Sequence, residues 1–520
     1  MQPPLWQPPV EPSVAEQAIL ARIRRAKLFS FLRQQRHHLF SASFQEELAA
    51  TYQESPFGQP PIPPAQLALA TILQAYTGVS DDEVIEATVM DRRWQLVLDC
   101  LECERPPFSI GTLVAFRARL IEHELDRRLV ERTVEVAAQR GGFSARQLRA
   151  ALDSSPLWGA GRVEATYNLL GHALKKALGV LARQQGRGLA EIAAAAGASL
   201  VGGSSLKAAL DLNWDDPAER AQALVRVLDA LTAVETWLDE RAAPADPDVA
   251  ASLAAAHQVQ AQDTTTSADG TPVLRQGVAP DRRISLEDGE MRHGRKSRSH
   301  LIDGFKRHVV RDLDSRLVPA VGLTAANVPE AAVGEAIRAD LAAQTITLAE
   351  LHIDRAYLSS VLVQERPADL AIYCKAWPVH NGTHFPKTAF VLDWEQGTIR
   401  CPNQVVLPFQ PGETVQFPAA TCAACPLRDR CTSSAQGRSV TIHLDERLLA
   451  ELRERQLTSA GRAKLRERVG VEHTLAHIGH WQGDRARYWG VRKNLFDLRR
   501  CAVVHNLHVI AHWDEEAKAA

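Results

Sequence analysis

Three acidic residues stand in three different settings: Asp153 in Arg-Ala-Ala-Leu-Asp-Ser-Ser, Asp354 in Leu-His-Ile-Asp-Arg-Ala-Tyr, and Glu472 in Arg-Val-Gly-Val-Glu-His-Thr. The first two follow short apolar runs that read as buried strands, and the third lies in a long helical pattern near the C-terminus. Two strand-end aspartates and a helix glutamate offer oxygen ligands suited to Mg²⁺ or Mn²⁺. A metal pair held by them clamps the attacking and leaving oxygens of an in-line displacement at phosphorus, and the substrate such chemistry implies is a nucleic-acid backbone. Taken singly, each carboxylate has a plainer reading as a helix cap or a solvated charge.

Two basic clusters are placed to hold phosphates beside such a site. Arg292, Arg295, Lys296, Arg298, Lys306, Arg307 and Arg311 are opposed only by Asp303, and a second cluster contains Arg485, Arg487, Arg492, Lys493, Arg499 and Arg500. Phosphate contacts and solvated charged faces are the two readings open to either cluster. Ser154 and Ser155 read as turn or capping residues, because no Gly-x-Ser-x-Gly elbow surrounds them and the sequence places no histidine to activate them.

Cys401, Cys422, Cys425 and Cys431 fall within thirty-one residues, two of them in a Cys-x-x-Cys bite. Four thiolates at this spacing can surround a structural Zn²⁺, with an iron-sulfur cluster or unligated thiols as the alternatives. Cys100, Cys103, Cys374 and Cys501 sit in apolar contexts and read as core residues.

The elements that must position these groups follow from composition and pattern. The chain has 520 residues, 45% of them hydrophobic and 23% charged, with a formal net charge of -2. That describes a globular chain of two to four domains rather than a disordered one, and it makes local charge clusters more informative than the total. No run of eighteen apolar residues occurs and the N-terminus lacks signal-peptide order, so a cytoplasmic location, no membrane partner and reduced cysteines are expected. Residues 1–145 read as helical, with a helix near 65–76, a Gly78-Val79-Ser80 turn and a second helix from Asp81; this pair fits a helix-turn-helix DNA reader or an ordinary bundle. A strand over 148–152 ending at Asp153 opens an α/β core over 146–160 and 281–376. Residues 161–280 read as a helical insertion, whose polar stretch 263–270 reads as linker, 377–457 as a Cys-rich insertion, and 458–520 as helices carrying Glu472. Strands near 305–310, 317–323 and 370–374 with intervening helices imply a mixed sheet flanked by helices, with Asp153 and Asp354 at carboxyl ends of strands.

In order along the chain, several words resemble the DDE transposases of bacterial insertion sequences. They are Arg149 to Ser155 with Gly159 to Glu164, Met291 to Ser297, Asp303 to His308, Thr324 to Asn327, His352 to Tyr357, and Arg468 to Glu472 leading into Val504-His-Asn506. The likeness spans roughly residues 15–513. It implies an RNase H-like core, Asp153, Asp354 and Glu472 as the metal-binding carboxylates, and Arg468 on the face of Glu472, where it could meet a phosphate. It also implies double-stranded DNA partners (element ends and target), a dimer or higher oligomer in the synaptic complex, and cleavage followed by strand transfer. Some relatives carry a lysine where this chain has Gly479, and a tyrosine where it has Leu465. A metal-dependent nuclease without end joining and a catalytically inactive DNA-binding descendant are the competing functions.

Overall fold

The computed structural model describes residues 2–53, 58–241, 246–295 and 299–519, with side chains as far as Trp513. Near the N-terminus stand helices α1 (Lys27–Leu39), which packs on helix Arg92–Leu98, α2 (Pro64–Thr77) and α3 (Asp81–Met90). Ser80 and Glu83 form a reciprocal capping box at the start of α3, as the Ser80 position in the sequence suggests. Almost every side chain of α2 is buried, whereas α3 opens on Asp81, Asp82 and Glu83, adds Glu86 and carries no cation. A buried helix followed by an acidic one without cations offers little to DNA phosphates, which favours the bundle reading of this pair over the helix-turn-helix one.

The central sheet contains β1 (Leu148–Trp158), β2 (Arg292–Arg295), β3 (Leu301–Asp312), β4 (Ala320–Ala325), β5 (Leu348–Ile353) and β6 (Ala371–Tyr373). Along its main path the order is β2-β3-β1-β5-β6, with β4 pairing β3 off this path; the pairings among β1, β2, β3 and β4 are antiparallel and those among β1, β5 and β6 parallel. This is an RNase H-like mixed sheet. β1 does not stop at Asp153 as its apolar run implies: it continues through polar Ser154 and Ser155 to Trp158, because β3 pairs with it all the way to Gly304. β5 leaves β1 after Leu152, and β1 regains a partner on that side only at Trp158, which bridges to Arg485; the gap between is a setting that tolerates Pro156. A side chain at Gly304 would collide with the backbone of Leu157 and Gly159, which explains the glycine where the two strands approach.

Each sheet face has its own cover. One face shares a continuous core with the N-terminal helices and with α4 (Val469–Gln482) and α5 (Val491–Ala519), including Ala151, Val309, Val471, Leu475 and Val504. The other is covered by helices Gly334–Ala343 and Glu446–Leu457 over Leu152, Val310, Ile353 and Ile372. The helices between β1 and β2 bury a separate core around Leu170, Leu174, Val227 and Val259. The stretch expected as linker instead supplies a strand, Thr264–Thr266, that pairs with Pro272–Leu274. Residues 385–442 form two small sheets around Phe390, Ile399, Phe417 and Ile442. Helix Glu446–Leu457, placed by sequence with the Cys-rich insertion, buries Leu448 and Leu452 in the central core. Among the described residues, no helix is long and apolar enough to cross a membrane.

Candidate active site

Asp153 and Asp354 are brought side by side by strand register. Leu152 pairs with Ile353 in the parallel β1/β5 ladder, so the next residue on each strand is an aspartate. Asp153 faces the same side as Ala151 and Ser155, towards α4, and its carboxylate is largely buried, whereas Asp354 is exposed at the start of a short helical turn and accepts from the Arg355 N–H at 2.7 Å. α4 buries Val471, Leu475 and Ile478 and leaves Glu472 outward, half exposed.

Arg468, at the junction of helix Ser459–Glu467 and α4, ties two of the three carboxylates together. Its Nη1 donates to Asp153 Oδ2 and its Nη2 to Glu472 Oε1, the latter at 2.8 Å. Asp153 Oδ1 accepts from the Ser154 N–H at 2.8 Å. Burial, reinforced by the charges of Glu472 and Asp354, pushes the Asp153 carboxyl up from its ordinary value, against the pull of Arg468 and of the Ser154 N–H. Both other carboxylates therefore act electrically on Asp153, and Arg468 ion-pairs with Asp153 and Glu472. Carboxylate oxygens with a surplus of negative charge are the donor set that hard divalent cations take.

Beneath the carboxylates lies a buried pair that the sequence words contain but do not flag. Tyr357 Oη and His308 Nδ1 are hydrogen-bonded at 2.7 Å, and His308 Nε2 contacts Thr324 Oγ1 at 3.0 Å. Burial holds His308 neutral, down to about 3, and raises the Tyr357 phenol well above its ordinary range, helped by Asp153, Glu330 and Asp354.

The basic residues divide. Arg292 is buried against Asp281, Lys306 against the Val328 carbonyl and Glu330, and Arg307 against Ser155 Oγ at 2.7 Å, Gln482 and the Gly483 carbonyl, so these three serve internal contacts and not a DNA surface. Alternation along β3 sends Arg307 into the core under α4, which a linear charge cluster cannot reveal. Arg295 is exposed at the end of β2, and Lys296 and Arg298 lie outside the described residues. Arg485 and Arg487 are exposed yet partly committed: Arg485 donates to the Gly159 and Ala160 carbonyls, Arg487 to those of Gly78 and Val79. The missing lysine at 479 has a steric reason, since a Cβ there would stand 3.0 Å from the Arg307 guanidinium.

A second group lies a short way back along β5 and at the end of helix Ser459–Glu467. Glu350, His352 and Glu467 have ligand atoms within 4.8 Å of one another, the one such set among the described residues. Both carboxylates are already matched, because Arg149 bonds Glu350 and Glu467 while Lys464 bonds Glu350 at 2.8 Å and approaches Glu467. Burial opposes the Glu350 charge, but Lys464, His352 and Arg149 outweigh it and hold its pKa at about 2.

Two family models match the chain: a transposase DDE domain over residues 409–511, and a transposase domain of the DUF772 type over residues 20–119. Over these two stretches the chain is similar to the DDE transposases of insertion sequences. The first match contains Arg468 and Glu472, and Asp153 and Asp354 precede it in the chain. No curated protein and no solved structure matches.

Cys401, Cys422, Cys425 and Cys431 line one small cavity of about 30 Å³. Cys425 Sγ accepts from the Leu427 N–H at 3.4 Å, and the Cys431 thiol is pushed up by burial and by the other three sulfurs. The four sulfurs are not drawn together as tightly as the Glu350 set. Of the remaining cysteines Cys100, Cys374 and Cys501 are buried, but Cys103 is exposed, contrary to its core reading, because it falls in the turn after helix Arg92–Leu98.

Proposed function

We propose that this transposase binds the terminal inverted repeats of its insertion sequence, cleaves DNA at the ends and joins them to a target by metal-dependent phosphoryl transfer. The observation that carries the reading is the adjacency of Asp153 and Asp354 at the Leu152–Ile353 register, with Glu472 linked to Asp153 through Arg468. Asp153, Asp354 and Glu472 are the residues that would hold Mg²⁺ or Mn²⁺, which when bound supplies Lewis-acid stabilisation of the attacking and leaving oxygens. Asp153 is central because both other carboxylates act on it; burial and the Ser154 N–H fix its orientation. Arg468 spaces Asp153 and Glu472, and its guanidinium, about a quarter exposed, has donors left for a phosphate oxygen. Tyr357 and His308 brace the strand ends from below.

Double-stranded DNA is held in this reading by Arg295, Arg485 and Arg487 at the surface, joined by Lys296 and Arg298 outside the described residues, and synapsis of two ends calls for a dimer or higher oligomer. The four cysteines hold a structural Zn²⁺, for which the shared cavity and the N–H···S contact at Cys425 speak; an iron-sulfur cluster is the competitor, and metal analysis with absorption spectroscopy of the purified chain separates them.

The deciding experiment incubates the chain and Mg²⁺ with a plasmid carrying both ends of its element. Cleavage at the ends and joined products are expected, and Asp354→Asn abolishes cleavage while end binding stays nearly intact. Equal loss of binding and cleavage undoes the role given to Asp354. Ends that are cut and never joined point to a nuclease instead.

A further inference from the structure

Behind α4 a second site opens. Helical periodicity projects Arg468 and Glu472 from one face of α4, and Gly470, Thr474 and His477 from the opposite one. On that opposite side lies a cleft of about 680 Å³ between the N-terminal helices, the end of β3, α4 and α5. Its cations come from three separate segments: Arg25 and Lys27 at the start of α1, Arg311 in β3, and Arg316 in the turn that follows. Arg311 enters beneath Gly470, where any Cβ would strike its guanidinium.

No carboxylate among the described residues lines this cleft. The imidazoles of His477, His505 and His508 complete its inner wall, and burial pushes His505 and His508 down to about 4, so at neutral pH they are uncharged. Two buried nitrogens, Arg311 Nε and His508 Nε2, have no hydrogen-bond partner. Concentrated positive charge with unused polar nitrogens at its floor is the complement of an anion that brings several acceptor oxygens.

We infer that this cleft binds phosphate groups, and that its occupant is the sugar-phosphate backbone of a DNA segment other than the strand presented to Asp153, Asp354 and Glu472. The phosphate chemistry follows from the cleft itself; the choice of DNA rests on the transposase reading above. Arg25, Lys27 and Arg316 are exposed at the mouth while Arg311 and His508 lie deeper, so charge extends along the cleft instead of converging on one small ion. The cleft joins residues from both family-matched regions, which gives the N-terminal helices a DNA contact that the acidic α3 cannot provide.

The test uses the full chain, an Arg25→Ala/Arg316→Asn variant, and an Arg311→Gln variant. Asparagine is chosen at 316 because the backbone there has a φ of 69°. Binding of a fluorescent duplex is followed by anisotropy over a salt series, and folding by thermal melting. The double variant is expected to lower the slope of log affinity against log salt by roughly 2, about 1 per lost phosphate contact, and Arg311→Gln by roughly 1, with Mn²⁺ binding at the carboxylates unchanged. A parallel arm measures thermal stabilisation by tripolyphosphate. Stabilisation that the variants lose, with an unchanged DNA slope, overturns the DNA occupant in favour of a small phosphorylated ligand. No change in either arm overturns the site while leaving the transposase reading intact, whereas a wild-type chain that binds no duplex at low salt sinks both.

Discussion

Two neighbouring clusters around β5 look alike by residue type and differ in charge balance. Glu350 and His352 within β5, with Glu467 just before Arg468, are tightly gathered and matched by Arg149 and Lys464. Just past the strand, Asp354 with Asp153 and Glu472 is more loosely gathered, and Arg468 ion-pairs with Asp153 and Glu472. Proximity favours the first cluster as a cation site and electrostatics the second. Carboxylates already neutralised by fixed cations gain little from a metal, while a surplus of negative charge at the open end of parallel strands gains much. Closeness of ligand atoms is therefore the poorer guide here.

The contrast is broken most sharply by paired neutralisations. Asp153→Asn should reduce DNA cleavage by roughly 10³-fold or more, about 4 kcal/mol in activation free energy, while Glu467→Gln leaves the rate of the folded protein largely unaltered. Comparable losses from both changes, measured in single-turnover assays, would reverse the assignment of the two clusters.

Glu350→Gln tests the structural role of the matched cluster, since it leaves Arg149 and Lys464 with Glu467 as their shared carboxylate and should cost about 1–3 kcal/mol of stability at pH 7. The folded pKa of Glu350, about 2, lies below its ordinary 4.5, so its contribution is present above 4.5 and fades as pH falls towards 2. Denaturation curves of the two proteins should accordingly draw together over that window; a constant gap would remove the ionised carboxylate from the explanation.

Arg468→Gln sharpens the comparison from the other side. Without the guanidinium, Asp153 and Glu472 should bind Mn²⁺ about tenfold more tightly in the absence of DNA, as calorimetry can measure, even as cleavage falls. Since Arg468 pulls the Asp153 carboxyl down against burial, its removal should also shift the pH dependence of Mn²⁺ binding upward. Weaker Mn²⁺ binding would mean that Arg468 orders the carboxylates more than it competes for them. The smallest effect is expected for Tyr357→Phe, which leaves His308 Nδ1 without its partner and should cost about 1 kcal/mol with the cleavage site still functional. Complete loss of cleavage in a folded Tyr357→Phe protein would move the phenol from support to chemistry.

Much of this was legible in the chain. Apolar runs before Asp153 and Asp354 mark them as strand-associated, and the spacing of Arg468 and Glu472 puts both on one helical face, where the structure shows them hydrogen-bonded. The Ser80 cap and the buried strands could be read for the same reason, since local pattern suffices for each. The fates of Arg292, Lys306 and Arg307 could not, because a β-strand sends alternate residues to opposite faces and the burying elements, Asp281 and α4, are distant in sequence. Nor could the acidic character of α3 be turned against its DNA role until α2 was seen to be wholly internal.

What the sequence by itself determined is the type of chemistry and its local supports: which carboxylates follow strands, which helix carries the third, and which cysteines cluster. Only the tertiary structure decided which charges are spent and which remain available. Ion pairing and burial depend on partners as far apart as Arg149 and Glu467, or Asp153 and Arg468, and their effect falls steeply with distance, so they are set by how β1, β3 and α4 pack and not by any stretch of the chain alone.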